Sequence, residues 1–245
     1  MTMITTENVA AAFDEVAASY DRMVSLNPGY HTHLRAAAAA LLERSPSRLL
    51  DLGCGSGAST QALLHAAEAA GLQVDIVGVD ASAGMIEQAR SKLWPGGVRF
   101  QVGQAEDSAW AQELWGIDAV DGIFAAYLFR NVKNRDVALA GLFDALAENG
   151  ALVVQEYSIA GSGLWVQALW TAVCWFVIIP LGWLTSRRTR LYRYLWRSVR
   201  SFDSVQTFVD RLYDAGLVEV EVRTVPGWQR GILHTFRARK PATVS

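Results

Sequence analysis

The sequence predicts an α/β fold in which a mostly parallel sheet carries helices on both faces. Three observations lead to this prediction. Apolar strand-like runs alternate with helical patterns, a glycine-rich turn joins the first strand to a helix, and two strand patterns close the chain. The 245 residues suffice for one α/β domain with an adequate core, so we expect residues 1–245 to form a single domain.

Periodicity and turn residues place the elements in order. Helical spacing predicts two helices before the sheet, over residues 7–21 and 30–43. The predicted strands cover residues 48–52, 74–79, 98–103, 119–126 and 150–157, and the helices between them cover 58–70, 83–93, about 107–114 and 135–147. A helix that ends at Ala215 then precedes two strands, 217–225 and 231–239, and such a hairpin adds antiparallel strands at the edge of a parallel sheet.

Composition and charge exclude several classes of function. The net charge of −2 gives no general attraction to nucleic acid. The two cysteines, Cys54 and Cys174, stand in unlike surroundings, so no disulfide framework is expected. The first residues lack the basic and apolar pattern of a secretory leader. We therefore expect a cytoplasmic protein that does not act on nucleic acid.

The stretch Leu50-Asp51-Leu52-Gly53-Cys54-Gly55-Ser56-Gly57 is the most informative local feature. An apolar strand ends in a carboxylate, glycines follow at every second position, and a helical pattern begins at once. The glycines let the backbone approach a ligand closely, and the helix start offers free N–H groups. The carboxylate of Asp51 would repel a pyrophosphate but attract the amino group of S-adenosylmethionine.

A dinucleotide-binding turn is the alternative. Gly53, Gly55 and Ala58 satisfy the loose G-x-G-x-x-G/A pattern. However, the strand begins only near Arg48, behind two predicted helices, whereas a dinucleotide domain often begins with its glycine-rich strand. Asp80 closes the next strand and would accept hydrogen bonds from ribose hydroxyls, which both cofactors carry.

Polar and small residues collect at the carboxyl ends of five predicted strands. Ligands of open parallel sheets bind at these ends, so the residues there form the predicted site. They are Asp51, Asp80, Gln104, Glu106, Ala126, Tyr127 and Glu156.

A long uncharged segment follows the fifth strand. No charged residue occurs from Tyr157 through Ser186, and the segment exceeds the roughly 20 apolar residues that a membrane span needs. Three features argue against a span. Pro180 and Gly182 are expected to break the helix, the apolar run before Pro180 is short, and sheet strands flank the segment, so both of its ends must stay on one side.

Two interpretations of this lid, residues 159–200, stay open. It is either a buried helical cover over the cleft, or a cover that also contacts a membrane surface through residues 164–200. Tryptophans beside arginines are typical of an interface with anionic headgroups. The arginines are Arg187, Arg188, Arg190, Arg193, Arg197 and Arg200. In both cases apolar aromatic surface covers the cleft, so we expect a lipophilic substrate.

Four motifs carry a resemblance to a known family. They are Phe13-Asp14-Glu15-Val16-Ala17-Ala18-Ser19-Tyr20-Asp21, the glycine-rich stretch, Phe129-Arg130-Asn131-Val132, and Tyr192-Arg193-Tyr194-Leu195-x-x-Ser198-Val199. Over residues 13–240 the chain resembles the ubiquinone/menaquinone biosynthesis C-methyltransferases, a branch of the class I S-adenosylmethionine-dependent enzymes. The glycine motif occurs in many methyltransferases, whereas the Arg-Asn-Val and Tyr-Arg-Tyr-Leu motifs are more specific to this branch.

The resemblance implies a Rossmann-like seven-stranded sheet whose last strand is antiparallel, with S-adenosylmethionine as cofactor. It implies cofactor contacts at Ser56, Asp80, Gln104, Ala105 and Ala126. Gln104 replaces the usual acid or asparagine of the family, and Ala126 replaces a frequent serine, so a hydroxyl contact is lost there. The full predicted cofactor site is Asp51, Gly53, Gly55, Ser56, Gly57, Asp80, Ala81, Met85, Gln104, Ala105, Glu106 and Ala126.

The resemblance also implies C-methylation of a lipophilic quinol, of the demethylmenaquinol or ubiquinol-precursor type, with Tyr20, Arg130 and Asn131 on the substrate side. Arg130 stays protonated, so we expect it to stabilise the developing phenolate, while Asn131 and Tyr20 orient the ring oxygens. The predicted base is His31, which matches a recurrent family histidine, or His234, which stands where the family has a small apolar residue.

Each candidate also has a purely structural interpretation. Arg130 would then form a salt bridge that holds the loop after the fourth strand, and each histidine would be a surface or capped residue. His31 and His33 form an H-x-H pair without an apparent third ligand, so no metal site is expected.

Three other functions stay open. The chain would be an O- or C-methyltransferase of another lipophilic phenol, a polyketide or a fatty acid, a non-catalytic S-adenosylmethionine-binding protein of the membrane surface, or a nicotinamide-dependent oxidoreductase. The expected partners are a lipophilic small molecule, the inner face of the membrane for a peripheral protein, and a second copy of the chain in a homodimer.

Overall fold

The sheet has seven strands. A computed structural model describes residues 4–6, 8–15, 17, 29–107, 110–116, 119–186 and 189–242. Its strands are β1 (Arg48–Leu52), β2 (Asp75–Asp80), β3 (Val98–Val102), β4 (Val120–Ala126), β5 (Leu146–Tyr157), β6 (Val218–Thr224) and β7 (Leu233–Arg239). They lie in the order β3-β2-β1-β4-β5-β7-β6. The predicted α/β class with a mostly parallel seven-stranded sheet is confirmed.

Helices precede, connect and follow these strands. They are α1 (Val9–Asp14), α2 (Tyr30–Leu41), α3 (Ala58–Ala69), α4 (Ala83–Arg90), α5 (Trp110–Trp115), α6 (Arg135–Ala145), α7 (Leu164–Val173), α8 (Ile179–Ser186), α9 (Arg190–Ser201) and α10 (Val205–Asp214). A π-helical turn, Cys174–Ile178, joins α7 to α8, and a 3-10 turn, Phe129–Asn131, follows β4. The predicted helix over residues 7–21 is seen as α1, and residues 7, 16 and 18–21 lie outside the described residues.

The terminal hairpin forms, with its second strand on the inside. β7 pairs antiparallel with both β5 and β6, so of the two hairpin strands only β6 lies at the edge of the sheet. β1 pairs parallel with β2 on one side and with β4 on the other. The chain order therefore reverses next to β1, and such a switch point is where ligands bind in open α/β sheets.

Both faces of the central strands are buried, which explains why these strands are nearly continuous apolar runs. On one face Leu50 clusters with Phe208 of α10 and Leu139 of α6. On the other face Leu49 clusters with Leu34 of α2. These two cores hold the central strands rigidly and leave their carboxyl ends to form the site.

The expectation that Pro180 and Gly182 break the lid helix is wrong. The helix runs on from Leu164 to Leu184, and the π-helical turn lies directly before Pro180. A proline ring crowds the carbonyl of the preceding turn and offers no N–H, and the wider π turn relieves both problems. A Cβ on Gly182 would collide with the ring of Tyr192, so this glycine allows α8 and α9 to pack closely.

The lid docks on the sheet through a small apolar cluster. Trp170 and Cys174 are buried against Tyr157 at the end of β5 and Leu233 at the start of β7. The other side of the lid holds the N-terminal segment, where Ile4 packs with residues of α1 and α9. The lid and the N-terminal segment therefore stand at the carboxyl edge of the sheet.

Candidate active site

A cleft opens at the carboxyl ends of β1, β2 and β4. Six predicted cofactor residues line it, namely Gly53, Gly55, Ser56, Asp80, Met85 and Ala126. The same cleft is lined by the predicted substrate residues Arg130 and Asn131, together with Phe13, Tyr30 and Tyr127, and these five residues are called the acceptor wall below. Gly57 and Ala81 are neighbours of this lining in sequence but are not part of it. The structure thus brings the two predicted half-sites into one cleft.

The glycine turn needs glycine for two different reasons. Gly53 has φ +74°, and a Cβ there would come within 3.0 Å of the Leu128 side chain. Gly55 has φ +53°, and a Cβ there would meet no atom within 4 Å. Since Gly55 lines the cleft, that open space is available to a ligand.

Asp51 is fully buried behind the turn. Its Oδ2 accepts hydrogen bonds from Ser59 Oγ (2.8 Å) and Thr60 Oγ1 (2.5 Å) at the start of α3. Its Oδ1 is buried and has no hydrogen-bond donor in the part of the chain that the structure describes. Burial raises the pKa of Asp51 to about 7, although the two hydroxyl donors oppose the shift. Asp51 does not line the cleft itself, whereas Ser59 does.

Asp80, at the end of β2, holds the glycine turn in place through hydrogen bonds. Its Oδ2 accepts the Gly55 N–H (2.9 Å) and its Oδ1 accepts the Ser82 N–H (2.8 Å). Burial raises the pKa of Asp80, and these two main-chain donors limit the shift. The Asp14 carboxylate of α1 accepts from Ser82 Oγ (2.5 Å) and from the Gly84 N–H (2.9 Å), so the N-terminal helix is tied to this wall.

The loop after β3 holds the remaining predicted cofactor residues. The Gln104 N–H donates to Asp107 Oδ2 (2.9 Å), and Glu106 Oε1 accepts the Lys133 N–H (3.2 Å). Ala105 is buried against the core. None of these residues is among the lining of the cleft described above, so their cofactor contacts stay predictions.

Arg130 forms a buried ion pair. Its Nη1 donates to Glu156 Oε1 at 2.5 Å, and the two side chains are 7% and 0% exposed. The Tyr157 N–H also donates to Oε1, at 2.8 Å. This geometry is compatible with both interpretations of Arg130. The ion pair fixes the loop after β4, as the structural interpretation requires, and it places a positive charge in the cleft lining, as the catalytic one requires.

Asn131 connects the cleft to the lid. Its Oδ1 accepts the hydroxyl of Tyr194 on α9 (3.1 Å), and its Nδ2 donates to the Tyr127 carbonyl (3.3 Å). Burial raises the pKa of Tyr194, so this hydroxyl stays a donor. A movement of α9 would therefore disturb the acceptor wall directly.

Tyr127 is the residue whose role the sequence did not reveal. Its φ of +58° is unusual for a non-glycine residue and stores strain at the end of β4. Its ring stacks between Tyr30 (5.5 Å) and Tyr157 (5.1 Å). Its hydroxyl is buried without a hydrogen-bond partner among the described residues. The only signal in the sequence is its position directly after Ala126 at a strand end.

The structure does not place the predicted histidines in the cleft lining. His31 is exposed on α2, where its ring meets the Tyr30 ring edge-on at 5.2 Å. His234 is 8% exposed on β7, opposite Glu156 in register, and burial lowers its pKa. Tyr20 lies outside the described residues. Within the described residues no group of three or more His, Cys, Asp or Glu side chains is placed to hold a metal ion.

Comparison with known proteins identifies related sequences along the whole chain. A sequence model of the ubiE/COQ5 methyltransferase family matches residues 1–240. The ubiquinone/menaquinone biosynthesis C-methyltransferase UbiE of Pseudomonas paraeruginosa is 29% identical over 238 residues, which cover 96% of this chain and 90% of that protein. The protein of the same name from Pseudomonas fluorescens is 30% identical over 242 residues, with the same coverage.

Solved structures share the fold at low sequence identity. The [4+2]-cyclase SpnF has a TM-score of 0.67 and 17% identity, and the match covers 98% of each chain. A Thermotoga maritima S-adenosylmethionine-dependent methyltransferase has a TM-score of 0.62 and 20% identity, covering 93% of this chain and 97% of that one. Human N-acetylserotonin methyltransferase, in complex with S-adenosylmethionine, has a TM-score of 0.61 and 14% identity, covering 91% of this chain and 56% of that one.

Proposed function

The chain belongs to the ubiE/COQ5 methyltransferase family, and we propose that it methylates a ring carbon of a lipophilic quinol, of the demethylmenaquinol or ubiquinol-precursor type. As a member of this family it is an S-adenosylmethionine-dependent methyltransferase. The relatives named above are C-methyltransferases of ubiquinone and menaquinone biosynthesis. The observation that carries the proposal is that one cleft joins the glycine turn to the buried cation of Arg130.

S-adenosylmethionine is the cofactor, and when bound it supplies an electrophilic methyl group. The residues present fit it in two respects. The unpartnered Oδ1 of Asp51 would be satisfied by an ammonium group, and the space beside Gly55 accepts a ligand. We assign the glycine turn and Asp51 to the amino-acid end and Asp80 to the ribose, because each Asp80 oxygen keeps a second lone pair. Gln104, Ala105 and Glu106 are assigned to the adenine.

The acceptor wall stabilises the ring oxygens of the quinol. Arg130 faces the negative charge that develops as the quinol loses a phenolic proton, and Glu156 fixes its guanidinium. The Tyr127 hydroxyl donates a hydrogen bond to a ring oxygen, because burial raises the pKa of Tyr127 and keeps it protonated. Asn131 holds the Tyr127 carbonyl in place, and Tyr20 keeps its predicted orienting role.

We propose that His31, rather than His234, is the base that accepts the phenolic proton of the quinol. His31 is exposed to solvent and touches Tyr30, which lines the cleft, so a proton can pass from it to water. Burial lowers the pKa of His234, which makes it the weaker base. Replacing each histidine with alanine tests the assignment. H31A should lower turnover on the quinol, and H234A should keep turnover close to that of the wild type.

The experiment on function uses the purified protein, S-adenosylmethionine and a set of reduced acceptors. The set contains a demethylmenaquinol, a demethylubiquinol, a simple lipophilic phenol and a fatty acid. We expect mass gain of one methylene only in the quinols. Reoxidation then separates the two reaction types, since a C-methylated quinol returns to a quinone and an O-methylated one does not. If only the phenol or the fatty acid gains mass, that compound is the substrate and the quinol is not.

We further propose that the lid makes the protein a peripheral one at the inner face of the membrane. The helix Leu164–Leu184 has 21 residues and is long and apolar enough to cross a membrane by length and composition. Leu164, Trp165 and Phe176 are 84%, 82% and 81% exposed, which is unusual for apolar side chains on a surface that stays in water. A quinol with a long apolar tail resides in the same membrane.

Cosedimentation with lipid vesicles tests this contact. The protein should pellet with vesicles and stay in solution without them. Light scattering at the same protein concentration tests the other occupant of this face, a second copy in a homodimer. A stable dimer that ignores vesicles would favour self-association and overturn the membrane contact.

A further inference from the structure

The lid carries a groove between α7 and α9 that the methyl transfer does not use. Its volume is about 670 Å³. Small and apolar side chains make up most of its lining, which also contains one arginine; the lining residues are Gln167, Ala168, Thr171, Ala172, Trp175, Phe176 and Arg200. This combination of an apolar groove and a cation matches an anionic amphiphile.

The guanidinium groups of two arginines on α9 lie over tryptophan rings beside this groove. The Arg200 Cζ lies 4.9 Å from the Trp196 ring, and the Arg193 Cζ lies 5.9 Å from the Trp175 ring. The two tryptophans meet edge to face at 5.8 Å, and Trp196 Nε1 donates to Thr171 Oγ1 (3.3 Å). The tryptophans therefore hold the guanidinium groups at the groove while leaving them exposed.

Neither arginine has a carboxylate partner among the residues that the structure describes. By contrast, Arg130 pairs with one carboxylate and Arg211 with two. The segment 157–202 contains six arginines and no aspartate or glutamate. The exposed Arg193 and Arg200 on an apolar surface favour an anionic partner over a second copy of the same positively charged face.

The position of these arginines fixes how the apolar helix meets a bilayer. α9 packs along α7, the π-helical turn and α8. The Arg193 guanidinium group lies over the ring of Trp175, and Trp175 is near the middle of the helix Leu164–Leu184. If that helix crossed the bilayer, the guanidinium group would lie near the hydrocarbon centre, which is strongly unfavourable. A helix parallel to the surface instead keeps the arginines at headgroup depth.

We infer that the groove binds an anionic phospholipid, with the phosphate at Arg200, an acyl chain along Ala168, Ala172 and Phe176, and Arg193 as a second headgroup contact. This inference rests on the membrane contact proposed above. A free phosphate ion would use only the exposed guanidinium groups and would leave the apolar groove without a role. The inference therefore commits to a lipid of the bilayer as the occupant.

The test compares vesicles of phosphatidylcholine with vesicles that also contain phosphatidylglycerol. The wild type should bind the anionic vesicles more tightly, and added salt should weaken that binding. R200Q should lower the partition coefficient about five-fold, and R193Q/R200Q should lower it further. R99Q is the matched control. The Arg99 Cζ also lies over a tryptophan ring, 5.8 Å from the ring centroid of Trp115, but Arg99 is on β3, outside the lid. The partition coefficient of R99Q should equal that of the wild type.

Each other outcome has a defined meaning. Equal binding to both vesicle types would overturn the phosphate site and leave the membrane contact intact, whereas binding to neither would overturn both. An equal loss in R99Q and R200Q would show a general charge effect and overturn the groove. Release by inorganic phosphate, beyond chloride of equal ionic strength, would assign the site to the free ion. Brominated phosphatidylglycerol should also quench tryptophan fluorescence of the unmodified protein more than brominated phosphatidylcholine, so the test does not depend on a folded variant.

Discussion

The two walls of the cleft are built in different ways. The cofactor wall comes from consecutive residues of one strand–turn–helix unit and from Asp80, whose oxygens both accept main-chain N–H groups. The acceptor wall collects Phe13, Tyr30 and Arg130, which are far apart in the chain, and Asn131 joins it to Tyr194 of the lid. We therefore expect donor binding to depend on local sequence and acceptor recognition to depend on tertiary packing.

This difference predicts that the two walls can be damaged separately. A substitution on the acceptor wall should change turnover and spare cofactor affinity, and a substitution behind the glycine turn should do the reverse. The membrane contact that we propose for the lid should vary independently of both. Four predictions test this separation, beginning with the largest expected effect.

Arg130→Gln should cause the largest loss. Turnover should fall about 10²- to 10³-fold, because a positioned positive charge on the developing phenolate is removed. Stability should also fall, by about 3–5 kcal/mol, because Glu156 is left as a buried charge without its partner. Cofactor affinity, measured by calorimetric titration, should stay close to that of the wild type.

Glu156→Gln is the matched control, since it breaks the same pair from the other side. It should destabilise the protein to a similar extent but leave Arg130 charged, so turnover should fall by only about ten-fold or less. If both variants lose turnover equally, Arg130 is a structural residue and the acceptor wall has no catalytic cation. If Arg130→Gln also loses cofactor affinity, the two walls are not separable.

Asp51→Asn should weaken S-adenosylmethionine binding about 10- to 100-fold through loss of a buried negative charge near the ammonium group. The wild-type affinity should rise with pH up to about 7, the value to which burial raises the pKa of Asp51, because the ligand prefers the ionised carboxylate. The affinity of the variant should lack this dependence. Titrations from acid to neutral pH check both points, and a wild-type profile as flat as the variant's would remove Asp51 from the site.

The stability of the free protein should show the opposite trend. The folded-state pKa of Asp51 is about 7 and lies above the unfolded value, so the folded state holds the proton more tightly. The contribution of the Asp51 carboxyl to the free energy of unfolding is fully present below about pH 4 and is lost as the pH rises through 7. Asp51→Asn mimics the neutral carboxyl. Its melting temperature should therefore rise relative to that of the wild type between pH 5 and pH 8.

The sequence was sufficient to place the glycine turn and Asp80 in the fold because their signals are local. β1 covers the predicted residues 48–52, and the glycine turn and Asp80 lie where the strand ends predict them. The alternation of strands and helices likewise predicted the central parallel sheet. The place of β7 between β5 and β6 was not predictable, because a hairpin pattern does not say which of its strands faces the sheet.

The acceptor wall and lid depend on contacts that no local pattern records. The pairing of Arg130 with Glu156 joins two strand ends, and the left-handed backbone of Tyr127 contradicts the preference of its residue type. The helix continues through Pro180 because a π-helical turn precedes it, and periodicity does not predict such a turn. These features fix the geometry of the acceptor side, so the sequence could not predict how its residues are arranged.

Tyr127→Phe should separate function from stability on the acceptor wall. Turnover should fall about ten-fold, because a hydrogen bond to the acceptor is lost. The free energy of unfolding should stay equal or rise by about 1 kcal/mol, since a buried hydroxyl without a described partner is removed. Tyr157→Phe is the control, because its hydroxyl accepts from Gln229 Nε2 (3.3 Å) and lies outside the cleft lining. It should lose stability and keep turnover, and the reverse result would exclude the assignment of Tyr127.

Gly182→Ala should have the smallest effect on methyl transfer and should isolate the lid. The added methyl group would collide with the Tyr192 ring, so α8 and α9 must separate, at a cost of about 1–3 kcal/mol to lid packing. Hydrogen exchange should then quicken in the lid and stay slow in β1 and α3. Vesicle binding should weaken, while turnover on a short-tailed quinol in solution should change about two-fold or less, because the cleft residues keep their own packing.

Gly163→Ala is the control at the other end of the same helix. A Cβ at Gly163 would meet no atom within 4 Å, so the same chemical change should leave exchange and vesicle binding unaltered. A lid that exchanges faster only in Gly182→Ala, with turnover preserved, would show that the lid packs independently of the cofactor wall. If turnover falls together with lid protection, the bond between Tyr194 and Asn131 transmits the disturbance, and the acceptor wall and the lid are one unit.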